Sequence, residues 1–307
     1  MFSRALLAAA VAVTALFFQI PLSPALVADA INVVVTLPVL KDLSEQVGGA
    51  HIHVTSLMTG YESEHTYSPK PSDLIAVRKA QVLVEIGVGL EVWVGSLVRN
   101  AGNPKLLVVT TSKGIGLIRD HPDHEGPAMP AREDVHGGNP HVWLDPEGAA
   151  TMLRHITEAF IKVDPAHAGD YRDNQAAYLR QLDRARADLT ERLRTVQDRR
   201  VIVHHPAWPY FARRFGIHIA GIIQTQPGAE PSAHHLQALI AQIRKDRIRV
   251  IVSEPQLNQK IPELLAKETG ARVVKLTTLP GALPGTETYL DMLRYNVLQL
   301  AQALESA

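Results

Sequence analysis

The sequence predicts an α/β fold of two similar lobes, each built on a parallel β-sheet, joined by one long rigid helix. Three observations favour this fold. Short β-branched runs alternate with helical patterns, a second such series begins after residue 199, and an unbroken amphipathic pattern lies between the two series. Parallel pairing follows because each crossover helix returns the chain to the same end of the sheet. The 307 residues are enough for two domains of ordinary size.

The first series occupies residues 31–165, the predicted N-terminal lobe. Its strands are predicted from β-branched runs at Asn32–Leu37, Ile52–Leu57, Val82–Ile86 and Leu106–Val109. Helical patterns lie between them at Val39–Val47, Ser72–Ala80 and Leu90–Asn100. Gly48 and Gly49 are predicted to end the first helix. Pro71-Ser72 is predicted to cap the second by supplying a side-chain oxygen to free backbone donors.

Tyr171–Asp198 contains no Gly or Pro and keeps apolar residues three and four apart. Such a helix would be on the order of 40 Å long, which is more than one lobe needs. We therefore predict a linking helix within residues 166–199, with a long surface helix or half of a coiled coil as the alternative.

The C-terminal lobe, residues 200–307, repeats the first series. Its strands are Arg200–His204, His218–Ile223, Arg249–Ser253 and Arg272–Leu276, and its helices are Tyr210–Phe215, Ser232–Lys245, Lys260–Thr269 and Thr288–Leu304.

The first 30 residues are predicted to be an export signal. Arg4 gives a positive start, Ala5–Phe18 is an apolar run, and Ala28-Asp29-Ala30 offers a cleavage site between small residues. An uncleaved membrane anchor is the alternative, but the run is shorter than the roughly 20 residues that span a bilayer, and Pro21 and Pro24 follow it. We expect a soluble periplasmic protein that is not inserted in the membrane after cleavage.

The composition limits both the partners and the chemistry. Lys+Arg and Asp+Glu are both 31, so the net charge is zero and the basic surface typical of nucleic-acid binding is not indicated. The chain has no cysteine, which excludes disulfides and thiol ligands. Histidine, the commonest ligand of transition metals, occurs 14 times. A metal site would therefore use histidine and carboxylate side chains.

Three histidines lie where parallel α/β lobes gather ligands, in loops that leave the carboxyl ends of strands or precede helices. His65 follows the second strand, His205 follows the first strand of the C-terminal lobe, and His141 precedes a helix that Asp145-Pro146 is predicted to start. A cleft between the lobes would bring them to one metal ion. Neutral imidazoles with one carboxylate or water suit Zn²⁺, whereas Mn²⁺ favours more oxygen ligands. At each position the alternative is a structural or solvated histidine.

His204 competes with His205, because side chains alternate along a strand and only one of two neighbours can face the cleft. We expect His205→Ala to cost far more metal affinity than His204→Ala. Most other histidines are predicted at solvated or surface positions. The polar His121–Glu125 segment, within an irregular stretch from Thr110 to Gly138, is either a weak metal collector or a solvated loop.

Six segments are spread over nearly the whole predicted mature chain: Ser63-Glu64-His65-Thr66-Tyr67-Ser68 with Pro71-Ser72-Asp73, Gly87-Val88-Gly89-Leu90-Glu91, His141-Val142-Trp143-Leu144-Asp145-Pro146, His205-Pro206-Ala207-Trp208-Pro209-Tyr210-Phe211, Ser253-Glu254-Pro255-Gln256 and Tyr289-Leu290-Asp291-Met292-Leu293-Arg294-Tyr295-Asn296. In this order they resemble segments of the zinc/manganese solute-binding proteins of ABC transporters. The resemblance implies a periplasmic receptor that captures the metal and hands it to a membrane permease. It also implies that the bridging helix allows little hinge closure.

Carried over to this sequence, the resemblance places the three histidines named above on the family's first three ligand positions. Manganese-type members tend to have a carboxylate at the third position, so His205 favours zinc. Many members have an aspartate late in the chain where this sequence has Thr277, which leaves the fourth ligand open. Glu64 is the first candidate and a water molecule the second. Glu254 is the third, although a role in hydrogen-bonding nearby loops explains it better.

Two other functions stay open at this point. A His₃ zinc ion with an open fourth position is also the arrangement of a metallohydrolase, with Glu64 or Glu254 as general base, but the sequence has no His-Glu-x-x-His motif. An adhesin or metal chaperone that never meets a permease would share the fold and the site. We predict a monomeric, non-enzymatic zinc receptor, with a manganese or mixed divalent-metal receptor as the main alternative.

Overall fold

The computed structural model describes residues 30–119, 137–226 and 228–306, and it confirms the predicted two parallel sheets. The first sheet contains β1 (Ile31–Val35), β2 (Ile52–Ser56), β3 (Val82–Glu85) and β4 (Leu107–Thr110), in the order β2-β1-β3-β4. The second contains β5 (Arg200–Val203), β6 (His218–Ile222), β7 (Val250–Ser253) and β8 (Arg272–Lys275), in the order β6-β5-β7-β8. The two lobes therefore share one topology. Residues 1–29 of the predicted export signal and the His121–Glu125 segment lie outside the described residues.

The helices agree with the predicted patterns to within a few residues. They are α1 (Pro38–Gly48), α2 (Pro71–Lys79), α3 (Val94–Ala101), α4 (Pro146–Val163), α5 (Ala168–Leu193), α6 (Pro209–Phe215), α7 (Ala233–Asp246), α8 (Lys260–Thr269) and α9 (Tyr289–Glu305). No helix of the described part of the chain is long and apolar enough to cross a membrane. As predicted, Gly49 follows α1 with a positive φ of 53°, a conformation that glycine adopts without steric cost.

One predicted helix start and one predicted helix cap were wrong, and in both cases a carboxylate binds the backbone instead. The helix predicted from Leu90 begins at Val94, because Glu91 turns back and accepts hydrogen bonds from the amides of Ile86 (2.8 Å) and Gly87 (3.0 Å). At α2 the predicted cap, Ser72, is not the acceptor.

The carboxylate of Asp73 holds the start of α2. It accepts from the amide of Lys70 at 2.7 Å and lies 2.7 Å from the hydroxyl of Tyr67. The same carboxylate therefore closes the loop that precedes α2, which is the loop that carries Glu64 and His65.

The linking helix, α5, has 26 residues, or about 39 Å at 1.5 Å per residue. It packs on α1 and α4 of the first lobe and on α9 near the end of the chain. It ends at Leu193 rather than Asp198, because the guanidinium of Arg199 donates to the carbonyls of Leu193 (2.6 Å) and Val196 (3.0 Å) and ends the last turn there.

A single hydrophobic core extends through both lobes, and a smaller cluster covers the other face of the second sheet. The alternation along β5 shows the division, since Val201 and Val203 join the main core and Ile202 joins the smaller one. Buried hydrogen bonds cross between the lobes in the same region: Trp143 Nε1 donates to the carbonyl of Thr278 at 2.7 Å. A shared core opposes large rotation of one lobe against the other.

Candidate metal centre

Glu64 and His65 are presented by the loop between β2 and α2. The loop is closed by Tyr67, whose hydroxyl lies 3.0 Å from the carbonyl of Leu57 and 2.7 Å from Asp73 Oδ2. Glu64 is buried and His65 is half-buried. Glu64 Oε1 and His65 Nε2 are both buried atoms without a hydrogen-bond partner. Unpaired polar atoms of this kind cost free energy unless a ligand satisfies them.

His141 lies at the corner that leads into α4. Asp145 caps that helix as predicted, since its Oδ1 accepts from the amide of Glu147 at 3.0 Å. The imidazole is oriented by Asn139, whose Oδ1 lies 2.9 Å from His141 Nδ1. Because an amide oxygen only accepts, Nδ1 carries the proton and Nε2 presents its lone pair to the centre. Sequence reasoning missed Asn139; its position two residues before a candidate ligand was the available signal.

His205 follows β5, and its imidazole is also oriented through Nδ1, here by a residue of the second lobe. Its Nδ1 lies 2.8 Å from Glu254 Oε1, which also accepts from Trp208 Nε1 at 3.0 Å. Glu254 is 1% exposed and stands just after β7. The carboxylate therefore fixes the ring and leaves Nε2 free, a common arrangement behind histidine ligands. This is the hydrogen-bonding role expected for Glu254, and the carboxylate that stands among the possible ligand atoms is Glu64.

The three imidazoles and Glu64 converge. Their ring centroids are 5.2 Å apart for His65–His141, 5.8 Å for His65–His205 and 5.2 Å for His141–His205. Each of the four residues offers one ligand atom, and these atoms all lie within 4.8 Å of one another. Glu64 Oε1 is 3.4 Å from His141 Nε2, close to the separation of about 3.3 Å that ligands have in a tetrahedral site with bonds of about 2.0 Å.

The electrostatics suit a cation. Burial, with His141 nearby, lowers the pKa of His65 to about 4, and burial also lowers the pKa of His141. Both rings are therefore neutral near pH 7. Burial opposes ionisation of Glu64, but its contact with His141 and the other imidazoles lowers its pKa to about 2. Burial also opposes the charge of His205, but Glu254 outweighs it and raises the pKa of that ring.

The space between these groups is small. Glu64, His65 and His205 line a cavity beside His141 with a volume of about 10 Å³, which is room for about one water molecule or one ion. Within the described part of the chain, no second group of three or more such side chains meets in this way. The arrangement can hold a single partly dehydrated cation through three nitrogens and one oxygen.

The remaining candidates do not join the group. Thr277 is fully buried, but its hydroxyl donates to the carbonyl of Leu279 at 2.8 Å and its amide donates to Asn296 Oδ1 at 3.0 Å, so it offers no ligand. His204 is also buried and lines a neighbouring cavity. Burial lowers its pKa to about 4.

Three histidines predicted at solvated or surface positions are half-buried instead: His51, His155 and His167. His51 stacks on His167 with ring centroids 3.8 Å apart, and His155 Nδ1 lies 2.9 Å from the carbonyl of Thr111. Their partners explain the difference, since each ring is held against a neighbouring element rather than left in solvent.

Comparison with known proteins identifies the family. The family model described as zinc-uptake complex component A periplasmic (ZnuA) matches residues 33–303. The chain belongs to the ZnuA family. The predicted resemblance to metal solute-binding proteins of ABC transporters is therefore confirmed, and this chain is a metal-binding receptor of that type.

Relatives in the family differ in the metal that they are named for. The chain is 30% identical over 277 residues to a metal-binding protein of Treponema pallidum (strain Nichols), covering 90% of this chain and 87% of that protein. It is 28% identical to the high-affinity zinc uptake system protein ZnuA of Bacillus subtilis (strain 168), with coverage of 90% and 88%. It is 27% identical to the iron-binding protein YfeA of Yersinia pestis, with coverage of 91% and 88%.

Solved structures have the same fold. A crystal structure of ZnuA superposes with a TM-score of 0.79 at 29% identity and covers 90% of this chain and 100% of that one. A mutant of the laminin-binding adhesin Lmb from Streptococcus agalactiae superposes at 0.78 with 27% identity, covering 90% and 100%. A manganese-bound periplasmic metal-binding protein from candidatus liberibacter asiaticus superposes at 0.75 with 22% identity, covering 89% and 99%. Family membership therefore establishes a metal receptor without fixing the metal.

Proposed function

We propose that this protein is an exported receptor that captures Zn²⁺ between its lobes and delivers it to the permease of an ABC importer. The observation that carries the proposal is the convergence of three imidazole nitrogens and one carboxylate oxygen within 4.8 Å of one another. In the proposed site the ligands are His65, His141, His205 and Glu64. This donor set matches the tetrahedral nitrogen-rich coordination that Zn²⁺ accepts, whereas Mn²⁺ favours more oxygen ligands.

The metal is proposed to be cargo and not a catalyst. A metallohydrolase would need a base near the ion and room for a substrate. Glu254 is held by His205 and Trp208, Glu64 stands among the proposed ligands, and the space at the centre is about 10 Å³. These features favour capture over turnover. If the wild type hydrolysed an ester or peptide and His141→Ala did not, the result would support the metallohydrolase alternative.

Titration of the metal-stripped chain, expressed as residues 31–307, tests the choice of metal. We expect one tight Zn²⁺ per chain by calorimetry and elemental analysis, with much weaker Mn²⁺. His205→Ala should abolish tight binding, whereas His234→Ala should not change it, because His234 is exposed on α7 and outside the centre. Mn²⁺ bound as tightly as Zn²⁺ would contradict the proposal and would favour the manganese receptor.

Delivery to a permease is tested separately from binding. A strain that lacks its own zinc receptor but retains the permease and ATPase of a zinc ABC importer should grow in zinc-poor medium when this chain is expressed and exported. The matched control is the His205→Ala chain, which should not restore growth. Restored growth by that variant would show that import does not require the proposed site, whereas tight zinc binding without any import would favour an adhesin or metal chaperone with the same fold.

A further inference from the structure

A second cavity, of about 270 Å³, lies beside the candidate metal centre. Both lobes line it, with Ser63 and Thr66 from the first and His204 and Glu230 from the second. It shares lining residues with the small space at the centre: Ser63, Gln224, Gly228, Gln256 and Leu257. We call this cavity the vestibule. The shared walls place the vestibule directly next to the centre.

His204 is the unusual residue of the vestibule. It is only 2% exposed, its Nδ1 is buried without a hydrogen-bond partner, and its side chain forms no hydrogen bond with any described residue. A buried imidazole left in this state costs free energy that a ligand would recover. The backbone of the same residue is in use, since its carbonyl accepts from the amide of Gln224 at 2.8 Å. The side chain is therefore held in place without a structural partner.

Oxygen donors accompany this imidazole. Gln256 donates through Nε2 to the carbonyl of Gly60 at 2.7 Å, and its Oε1 is buried without a partner. Glu230 adds an exposed carboxylate at the solvent side of the same cavity. An imidazole, an amide oxygen and a carboxylate suit a divalent transition metal ion, and they suit an anion poorly.

We propose that His204, with Gln256 and Glu230, forms a loading site that holds an incoming divalent metal ion in the vestibule before it moves to the centre. The inference rests on the proposed receptor function. A hydrated ion cannot enter a space of about 10 Å³ without losing water. Replacing those waters in steps, first by His204 and then by its neighbour His205, avoids losing them all at once.

Stopped-flow mixing of Zn²⁺ with the metal-stripped chain tests this site, with tryptophan fluorescence as the readout. Trp208 is hydrogen-bonded to Glu254, the carboxylate that holds His205, so we expect its fluorescence to change when His205 binds the ion. In His204→Leu we expect the association rate constant to fall about tenfold, within the range by which local charges and ligands alter association. Release should slow in proportion, because a site on the path serves both directions, and the equilibrium Kd should change less than about threefold.

Further variants make the result decisive. Glu230→Gln alters an exposed side chain and should slow association by about threefold. If His204→Leu fails to fold, this variant alone tests whether the vestibule holds an incoming ion. His234→Leu and Glu158→Gln, at exposed helix positions outside the vestibule, should load like the wild type. Association at the wild-type rate in both vestibule variants would overturn the proposal.

A second result would also overturn it. If His204→Leu associates normally but releases zinc faster, then His204 only positions His205 and holds no ion. Failure of the proposed function is distinguishable, since the wild-type chain would then bind no tight equivalent of Zn²⁺ at equilibrium, and the vestibule would have no centre to load.

Discussion

Replacing Glu64 by glutamine tests the fourth ligand of the proposed centre. Glu64 is 3% exposed, and its Oε1 has no hydrogen-bond partner and lies 3.4 Å from His141 Nε2. Glutamine keeps the volume of the side chain and removes its charge. In a site that excludes water, the loss of an anion beside a divalent cation is a loss of attraction that solvent cannot replace.

The size of the effect follows from this burial. Removing one partner of a buried charge pair costs about 3 to 5 kcal/mol, which corresponds to a factor of about 200 to 5,000 in Kd. Since the amide oxygen of glutamine retains some ability to bind the ion, we expect the lower end, a zinc affinity weaker by about 10²-fold. Glu64→Asp keeps the charge but withdraws the oxygen by one methylene, so it separates direct ligation from a field effect.

Chelator competition followed by calorimetry measures both variants against the wild type. Direct ligation predicts that Glu64→Gln and Glu64→Asp both weaken zinc binding, whereas a field effect predicts that the aspartate variant binds normally. Glu158→Gln, at an exposed position on α4, is the matched control and should bind zinc like the wild type. A Glu64→Gln chain with a Kd within threefold of the wild type would refute the reasoning and favour water in the fourth position.

Two further predictions concern pH and stability. Because Glu254 raises the pKa of His205, this proposed ligand takes a proton before His65 and His141 as pH falls. Zinc affinity should therefore be full above the pKa of His205 and decline as pH falls through it. Glu254→Gln should move this decline to lower pH in a pH series of zinc titrations. Affinity unchanged from about pH 7.5 to about pH 5 would contradict this. Arg214 pairs with the buried carboxylate of Asp145 at 2.6 and 3.0 Å. Arg214→Met should therefore cost about 2 to 3 kcal/mol and lower the Tm by roughly 5 to 10 °C in thermal unfolding, whereas the exposed Arg186→Met should change it little; equal shifts would contradict the argument.

Much of the fold could be predicted from the sequence because local patterns encode it. The β-branched runs, the spacing of apolar residues along α5, and Gly49 after α1 each depend on neighbours within a few positions. The predicted ends of two helices were wrong because a side chain turned back and bound the backbone of preceding residues. Arg199 ends α5 early by taking its carbonyls, and Glu91 delays α3 by folding back on β3.

The sequence by itself determined which residue types could bind a metal, since it has no cysteine and places histidines at the ends of strands and at a helix corner. Only the tertiary structure decided which atoms meet. Asn139 and Glu254 select the free nitrogen of His141 and His205, and Thr277 turns its hydroxyl to its own loop. Glu254 is 49 residues from His205 in the chain, and the side-chain amide of Asn139 also donates to the carbonyl of Pro206 in the other lobe, so both orientations depend on contacts that form only in the folded chain. The spacing of residues along the chain does not specify these contacts, because Glu254 and Pro206 are far in sequence from the side chains that they hold.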